Sequence, residues 1–303
     1  MLTLKAPAKI NWFLKILGLR DDGFHEIQSL MQKISLYDVL KISPADDLSL
    51  KTEGSIAEKD NLVYRAAALL KSTYSVNEGA CMELHKNIPV GAGLGGGSSD
   101  AAAALMGLNQ LWSLGLSSES LSELAARIGS DVPFFLYGPA SFVYGRGEKM
   151  TPCKNKKKLY ILLVKPPFAV STAWAYKNFQ STRLLEQETQ DQENSLKLYD
   201  NLPKLTKKRE KVNNIKLLIR NIEEAHFSAI SGSELNDLES VLIREFHVIA
   251  EIKDRLRRLG AVFSLMSGSG STVFGVFRSE NEAEAASGEF QDFWTAAVHT
   301  ITD

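Results

Sequence analysis

The residues Pro89–Ser99 constrain this chain more than any other stretch. The run Gly91-Ala92-Gly93-Leu94-Gly95-Gly96-Gly97-Ser98-Ser99-Asp100 carries five glycines. One glycine serves an ordinary turn, whereas three in a row are an entropic liability, tolerated where backbone must pass close to something else. Ahead of the run, Ala80, Met82 and Leu84 alternate with Cys81, Glu83 and His85, as in a half-buried strand that Pro89 terminates. Behind it, Ala101, Ala104, Leu105, Leu108 and Leu111 share one helical face. Strand, glycine loop and helix N-terminus in that order gather backbone N–H groups and the positive end of a helix dipole in one place, which makes an anion site suited to phosphate. Ser98 and Ser99 add hydroxyls that can donate to phosphate or ligate a metal through oxygen.

Three known phosphate loops compete for this pattern. Gly91-x-Gly93-x-x-Gly96 satisfies the dinucleotide fingerprint, which then wants a second strand ending in Asp or Glu about 20 residues on. That region reads Trp112-Ser113-Leu114-Gly115-Leu116-Ser117-Ser118-Glu119, a helix end and a cap. The ATPase P-loop requires Gly-Lys-Ser/Thr, and this loop holds no lysine. A protein-kinase glycine loop lies between two strands and needs His-Arg-Asp and Asp-Phe-Gly, neither of which occurs.

The rest of the chain sets the organisation. Its 303 residues exceed the usual single-domain size, so two domains are expected. Residues 10–17 alternate as a strand, Val39–Ile42 and Leu48–Lys51 predict two more across the turn at Pro44-Ala45-Asp46-Asp47, and Asn61–Ser72 predicts a helix. Ser117 opens a helix through Ile128, with Gly129 as its C′ residue. Leu159–Lys165 is an apolar strand. Leu242, Phe246, Ile249, Leu256 and Leu259 predict one long helix. Ala261–Met266 and Ser271–Phe277 predict a hairpin around Ser267-Gly268-Ser269-Gly270, followed by a helix near Glu280 and a strand at Thr295–Ile301. That last third reads as an α+β sandwich. Thr151–Lys158 is the expected boundary, dividing domains 1–155 and 156–303, and the Gln/Glu/Lys/Asn-rich segment 180–216 reads as a surface insertion.

Composition narrows the function classes. Charged residues make up 23%, and the formal net charge is −1, so bulk electrostatics give no reason to expect a nucleic-acid or membrane partner. Two cysteines, Cys81 and Cys153, supply neither a metal cluster nor a disulfide framework. The N-terminus has no signal-peptide or transit-peptide pattern, and no apolar stretch approaches the ~18 residues of a membrane span. A cytoplasmic protein is expected.

The loop Pro89-x-Gly91-x-Gly93-Leu94-Gly95-Gly96-Gly97-Ser98-Ser99-Asp100-Ala101-Ala102 resembles the signature of the GHMP kinases, the family of galactokinase, homoserine kinase and mevalonate kinase. Ala6-Pro7-Ala8-Lys9-Ile10-Asn11, Arg20-Asp21-Asp22-Gly23-Phe24-His25-Glu26, Gly129-Ser130-Asp131-Val132-Pro133-Phe134-Phe135 and Ser267-Gly268-Ser269-Gly270 extend the likeness to both ends of the chain. The resemblance implies a two-domain α+β (α/β) GHMP kinase fold. Its N-terminal domain would be ribosomal protein S5 domain 2-like, its C-terminal domain a ferredoxin-like α+β sandwich, with the active site between them. It also implies ATP and Mg²⁺ as cofactors and a CDP-linked methylerythritol as the small-molecule acceptor. The reaction would be phosphorylation of the 2-hydroxyl, in the bacterial non-mevalonate route to isoprenoid precursors, by a monomer or weak homodimer. A different kinase of the family, a nucleotide-binding regulator that lost its chemistry, and a NAD-dependent oxidoreductase are the alternatives.

The same resemblance assigns roles residue by residue. Pro89, Gly91, Ala92, Gly93, Leu94, Gly95, Gly96, Gly97, Ser98 and Ser99 would hold the ATP phosphates, with Ser99 as the candidate Mg²⁺ ligand. Asp131 would accept the hydroxyl proton, although a carboxylate there also reads as a helix-end residue. Lys9 would stand beside it, although alone it reads as an edge lysine. Asn11, two residues on, shares its strand face and would touch substrate. Phe24 and His25 match a cytidine pocket in which the aromatic is usually Tyr; Thr172, Tyr176 and Arg146 would complete it, with Tyr176 stacking on the other face of the base. Gly268, Ser269 and Gly270 would lie near the substrate diphosphate, or simply turn a hairpin. Asn61 and Lys86 match positions near the adenine nucleotide, and read equally as a helix cap and a surface lysine.

Overall fold

A computed structural model describes residues 1–53, 56–154, 157–182, 220–222, 224–227 and 235–303. Most of the expected insertion 180–216 therefore lies outside the described residues.

The spine of the molecule is a long antiparallel pair. β1 (Leu2–Leu19) runs along β2 (His25–Ala45) from Leu2 opposite Ile42 to Leu19 opposite His25, with register shifts at Pro7/Ala8, Asn11/Phe13 and Ile16/Gly18. On its other edge β2 pairs with two strands placed end to end. β4 (Gly79–His85) takes Val39–Ala45, and β5 (Ala140–Gly145) takes Ile27–Gln32. β3 (Leu48–Thr52), parallel to β4, and β6 (Lys149–Cys153), beside β5, finish the first sheet. The second sheet has the order β10-β7-β9-β8, formed by Tyr160–Lys165 (β7), Phe263–Met266 (β8), Val273–Phe277 (β9) and Trp294–His299 (β10), all antiparallel. That order is the ferredoxin-like arrangement.

Helices cover the sheets. α1 (Leu62–Thr73), α2 (Gly96–Leu111) and α3 (Ser118–Ile128) pack over the first, burying Val63, Ala66, Leu70, Leu105, Leu108 and Leu124 with Leu40, Ile42 and Met82. α4 (Asp237–Glu245), α5 (Val248–Arg258) and α6 (Glu280–Ser287) cover the second, together with a helix over residues 172–182. A third cluster joins the halves. Ala8, Ile10, Trp12, Phe13, Leu30 and Ile34 from β1 and β2 pack with Ile161, Leu163, Phe263, Leu265, Phe274, Val276 and Val298 from the second sheet. Trp12 meets Phe274 edge-on with centroids 5.5 Å apart, a favoured aromatic geometry.

Several expectations need correction. The strand expected at Val39–Ile42 is the end of a longer one that begins at His25; buried on both faces from Ser29 to Ile34, its first half shows no alternation to read. β5 and β6 were not expected. The single helix through Leu242–Leu259 is two helices, broken where Phe246 leaves helical backbone (φ −127°, ψ 82°) and lays its ring on Phe168, centroids 4.6 Å apart. Gly129 ends α3 in extended backbone (φ −175°) rather than in the left-handed C′ conformation. The helix after the glycine loop starts inside the run, at Gly96.

Candidate functional site

The glycine loop lies against β1. Leu94 O accepts from Lys9 N at 2.9 Å, and Gly95 then turns left-handed (φ 71°) to start α2. Asn61, Ser117, Asn236 and Ser279 cap α1, α3, α4 and α6 with side-chain oxygens, but no side chain caps α2 and its first turn holds no acid. Its leading N–H groups therefore stand at the cavity wall in the state that receives an anion. Gly93 needs its missing side chain: a Cβ there would meet Ser267 O at 2.3 Å and Gly270 O at 2.8 Å. The loop is thus wedged against the β8–β9 hairpin, and Thr272 N donates to Ala92 O at 3.3 Å.

A cavity of ≈ 600 Å³ opens over this seam. Of the residues singled out from sequence, Lys9, Asn11, Asn61, Lys86, Pro89, Gly91 through Ser98, Asp131, Thr172, Tyr176, Gly268 and Ser269 line it. Ser99, Phe24, His25, Arg146 and Gly270 do not. Ser99 is 1% exposed, its hydroxyl buried behind the loop without a partner.

Lys9 is buried rather than at an edge. Its Nζ donates to Asn11 Oδ1 at 2.7 Å and Gly93 O at 3.0 Å, and stands 3.6 Å from Asp131 Oδ2. Burial pushes its amine below the ordinary lysine value, and the Asp131 carboxylate opposes that shift. Asn11 is fixed in turn, its Nδ2 donating to Ser29 Oγ at 2.8 Å. Asp131 comes from the turn after α3. The short helix Pro133–Leu136 behind it is held by Phe134 and Phe135 in the core and by Lys33, whose Nζ donates to Phe135 O at 3.0 Å and Tyr137 O at 2.6 Å.

The far end of the cavity is polar. Lys86 is no surface lysine: its Nζ donates to Asp38 Oδ2 and, at 2.6 Å, to Asp100 Oδ2. Asp38 also accepts from the N–H groups of Asn87 and Ile88. Burial, together with neighbouring Asp38, raises the Asp100 carboxyl to about 7 against the pull of Lys86. Asn61 is a helix cap, accepting from Val63 N at 2.9 Å, and lines the cavity as well.

Phe24, His25 and Arg146 gather beside the cavity. The Arg146 guanidinium lies 5.0 Å from the centroid of the Phe24 ring, which is 48% exposed and so keeps a free face. His25 packs its ring on Tyr176, centroids 5.0 Å apart, and Tyr176 reaches the cavity. Burial, then the charges of Asp131 and Asp237, push the Tyr176 phenol up. On the opposite wall Thr172 Oγ1 and Ser269 Oγ are 2.9 Å apart.

Residues that sequence reasoning passed over also shape the site. Ser267 Oγ donates to Gly93 O at 3.1 Å, and Asn236 Nδ2 donates to Met266 O and Gly268 O at 2.9 and 2.8 Å. Asp100 stood in the quoted motif with no role attached. Asn236 carried the N-cap signal, an Asn three residues before a Glu at a helix start.

Known proteins share this plan. Residues 61–139 match the GHMP kinases N terminal domain and residues 202–296 the GHMP kinases C terminal model. A 4-diphosphocytidyl-2-C-methyl-D-erythritol kinase of Thermodesulfovibrio yellowstonii is 42% identical, covering 100% of this chain and 99% of its own. The enzyme of the same name from Geobacillus thermodenitrificans is 40% identical over 93% and 90%. A crystal structure of 4-(cytidine 5′-diphospho)-2C-methyl-D-erythritol kinase superposes with a TM-score of 0.78 at 31% identity, covering both chains fully. The mevalonate kinase of L. major shares the fold at a TM-score of 0.74 and 17% identity, over 100% and 97% of the two chains. Loop, cleft, sheet order and these likenesses agree: the chain belongs to the GHMP kinases, in the family of the 4-diphosphocytidyl-2-C-methyl-D-erythritol kinases.

Proposed function

We propose that this kinase transfers the γ-phosphoryl group of ATP to the 2-hydroxyl of 4-diphosphocytidyl-2-C-methyl-D-erythritol, giving the 2-phosphate and ADP. The observation that carries the reading is the Lys9–Asp131 pair, 3.6 Å apart on the wall of the cavity that the glycine loop also lines. Phosphoryl transfer proceeds through a loose transition state, so holding the reactants in line and meeting their charge dominate the catalysis. The open N–H groups of Gly96, Gly97 and Ser98 bind the phosphates. Asp131 orients the acceptor hydroxyl and takes its proton. Lys9, held by Asn11 and Gly93, supplies fixed positive charge beside the oxygen that develops charge. Asn61 and Lys86 serve the nucleoside end, and Phe24, with Arg146 on one face, offers its other face to the cytosine.

Mg²⁺ fits this donor set. No group of three His, Cys, Asp or Glu residues able to hold a metal exists among the described residues, and Mg²⁺ bound through phosphates needs only one or two protein oxygens. Ser98 lines the cavity and its hydroxyl would hold the ion beside the phosphate oxygens, leaving Asp131 to the acceptor hydroxyl; the buried Ser99 hydroxyl does not reach the cavity. When bound, the ion neutralises charge on the phosphoryl oxygens.

The test is coupled ADP release with ATP, Mg²⁺ and 4-diphosphocytidyl-2-C-methyl-D-erythritol, beside homoserine and mevalonate. Turnover with the cytidine acceptor alone, cut about 10²–10⁴-fold in Asp131→Asn with nucleotide binding retained, is expected. Turnover with another acceptor, or full activity in Asp131→Asn, would refute the reading.

A further inference from the structure

Three side chains at the start of α4 tie together elements that line the cavity, though none of the three lines it. Asn236 is 2% exposed and uses every polar atom: Oδ1 accepts from Leu238 N at 3.0 Å, and Nδ2 donates to Met266 O and Gly268 O. Asp237 reaches the other way, to β1, accepting from Lys15 Nζ at 2.7 Å and Ile16 N at 2.8 Å. Glu239 accepts from Met266 N at 3.2 Å and from Lys253 Nζ at 2.6 Å. The backbone adds Leu14 N donating to Leu235 O at 2.8 Å.

The turn so held is the one that faces Lys9. Ser267 Oγ accepts from Asn11 N at 3.4 Å, and a methyl group added at Gly268 would stand 3.1 Å from both Asn11 Oδ1 and Lys9 Nζ. A helix cap alone would need only the Oδ1 acceptor, which Asp or Ser supplies equally well. Only an amide offers an acceptor together with two donors, and both donors go to buried carbonyls of the turn.

We infer that Asn236, assisted by Asp237 and Glu239, is a positioning residue for phosphoryl transfer, fixing residues 267–270 against Lys9 and Asn11 and so setting the width of the acceptor pocket. The inference rests on the reading of Lys9 and Asp131 given above. Asn236→Asp separates the two roles. It keeps the cap and replaces two donors with an acceptor facing two carbonyl oxygens, whereas Asn236→Ala loses both functions. Steady-state kinetics and melting temperature are measured on both variants of the full chain. The expected result is a tenfold or larger fall in kcat in both, with Asn236→Asp still folded at the assay temperature. Turnover of Asn236→Asp within threefold of the parent would overturn the inference and reduce Asn236 to a cap. Should Asn236→Asp not fold, Asn236→Ser caps the helix but is too short to reach both carbonyls, and it is judged by the same thresholds. Absence of activity in the parent chain would instead sink the function proposed above, so the two failures are told apart.

Discussion

Replacing Gly93 by alanine should cost this protein both stability and nucleotide binding, by an amount the structure sets. Gly93 has φ +73°, where an L side chain pays about 1–2 kcal/mol. Its Cβ would also lie 2.3 Å from Ser267 O, 2.8 Å from Gly270 O and 3.0 Å from Gly270 N, all backbone atoms that cannot swing aside. Overpacking of that kind adds roughly 1–3 kcal/mol. Gly115 provides the control, with φ +64° but nothing within 4 Å of its Cβ, so that Gly115→Ala pays the backbone strain alone. Urea titrations of the two variants should differ by about 1–3 kcal/mol, the clash term. The Gly93 variant should also lose most of the thermal stabilisation by ATP, because relief of the clash moves the loop off the hairpin, whereas the Gly115 variant should keep it. If Gly93→Ala is no less stable than Gly115→Ala within about 0.5 kcal/mol, the wedge between loop and hairpin is not there.

Other perturbations test separate parts. Burial holds the Lys33 amine down at about 8, against 10.5 for an ordinary lysine. Between those values the unfolded chain binds more protons than the folded one, so this residue makes stability rise with pH there, by at most about 1.4 kcal/mol per pH unit. Unfolding free energies measured from pH 7 to about 10 should show that rise in the parent and lose it in Lys33→Met. Lys253→Met strands Glu239, whose side chain is 2% exposed, and should cost about 3–5 kcal/mol in denaturant; adding Glu239→Gln should return part of that. Phe24→Ala should weaken the cytidine acceptor by about 1–3 kcal/mol while Phe24→Tyr changes little, as read by the acceptor KM.

The legible parts of this molecule are those where backbone geometry dictates residue type. The glycine run was readable because close approach at Gly93 and a left-handed turn at Gly95 exclude other residues. The cap of α1 was readable because Asn61 stands at the start of an amphipathic stretch. Lys9 and Asp131 were not readable from local pattern. One looks like an edge lysine and the other like a helix-end carboxylate, and only resemblance brought them together before the fold did. The first half of β2 was hidden because it is buried on both faces, which erases alternation. The break at Phe246 was hidden because its ring keeps the helical apolar stripe while packing against Phe168, a partner remote in sequence. The surface reading of Lys86 stayed open beside the nucleotide one because the two aspartates that bury its charge, Asp38 and Asp100, lie on another strand and helix.

The strand that carries Lys9 is also the strand whose Ile10 and Trp12 are packed into the core shared with the second sheet. Cutting the chain at the junction of its halves would therefore leave each piece with an open face of large apolar side chains. A fragment ending near residue 155 should be aggregation-prone rather than an autonomous folding unit. Hinge opening across this seam is correspondingly expensive, since it would wet Trp12, Phe263 and Phe274 together. Loss of packing at Trp12, on the strand that carries Lys9, would therefore be felt as lost catalysis.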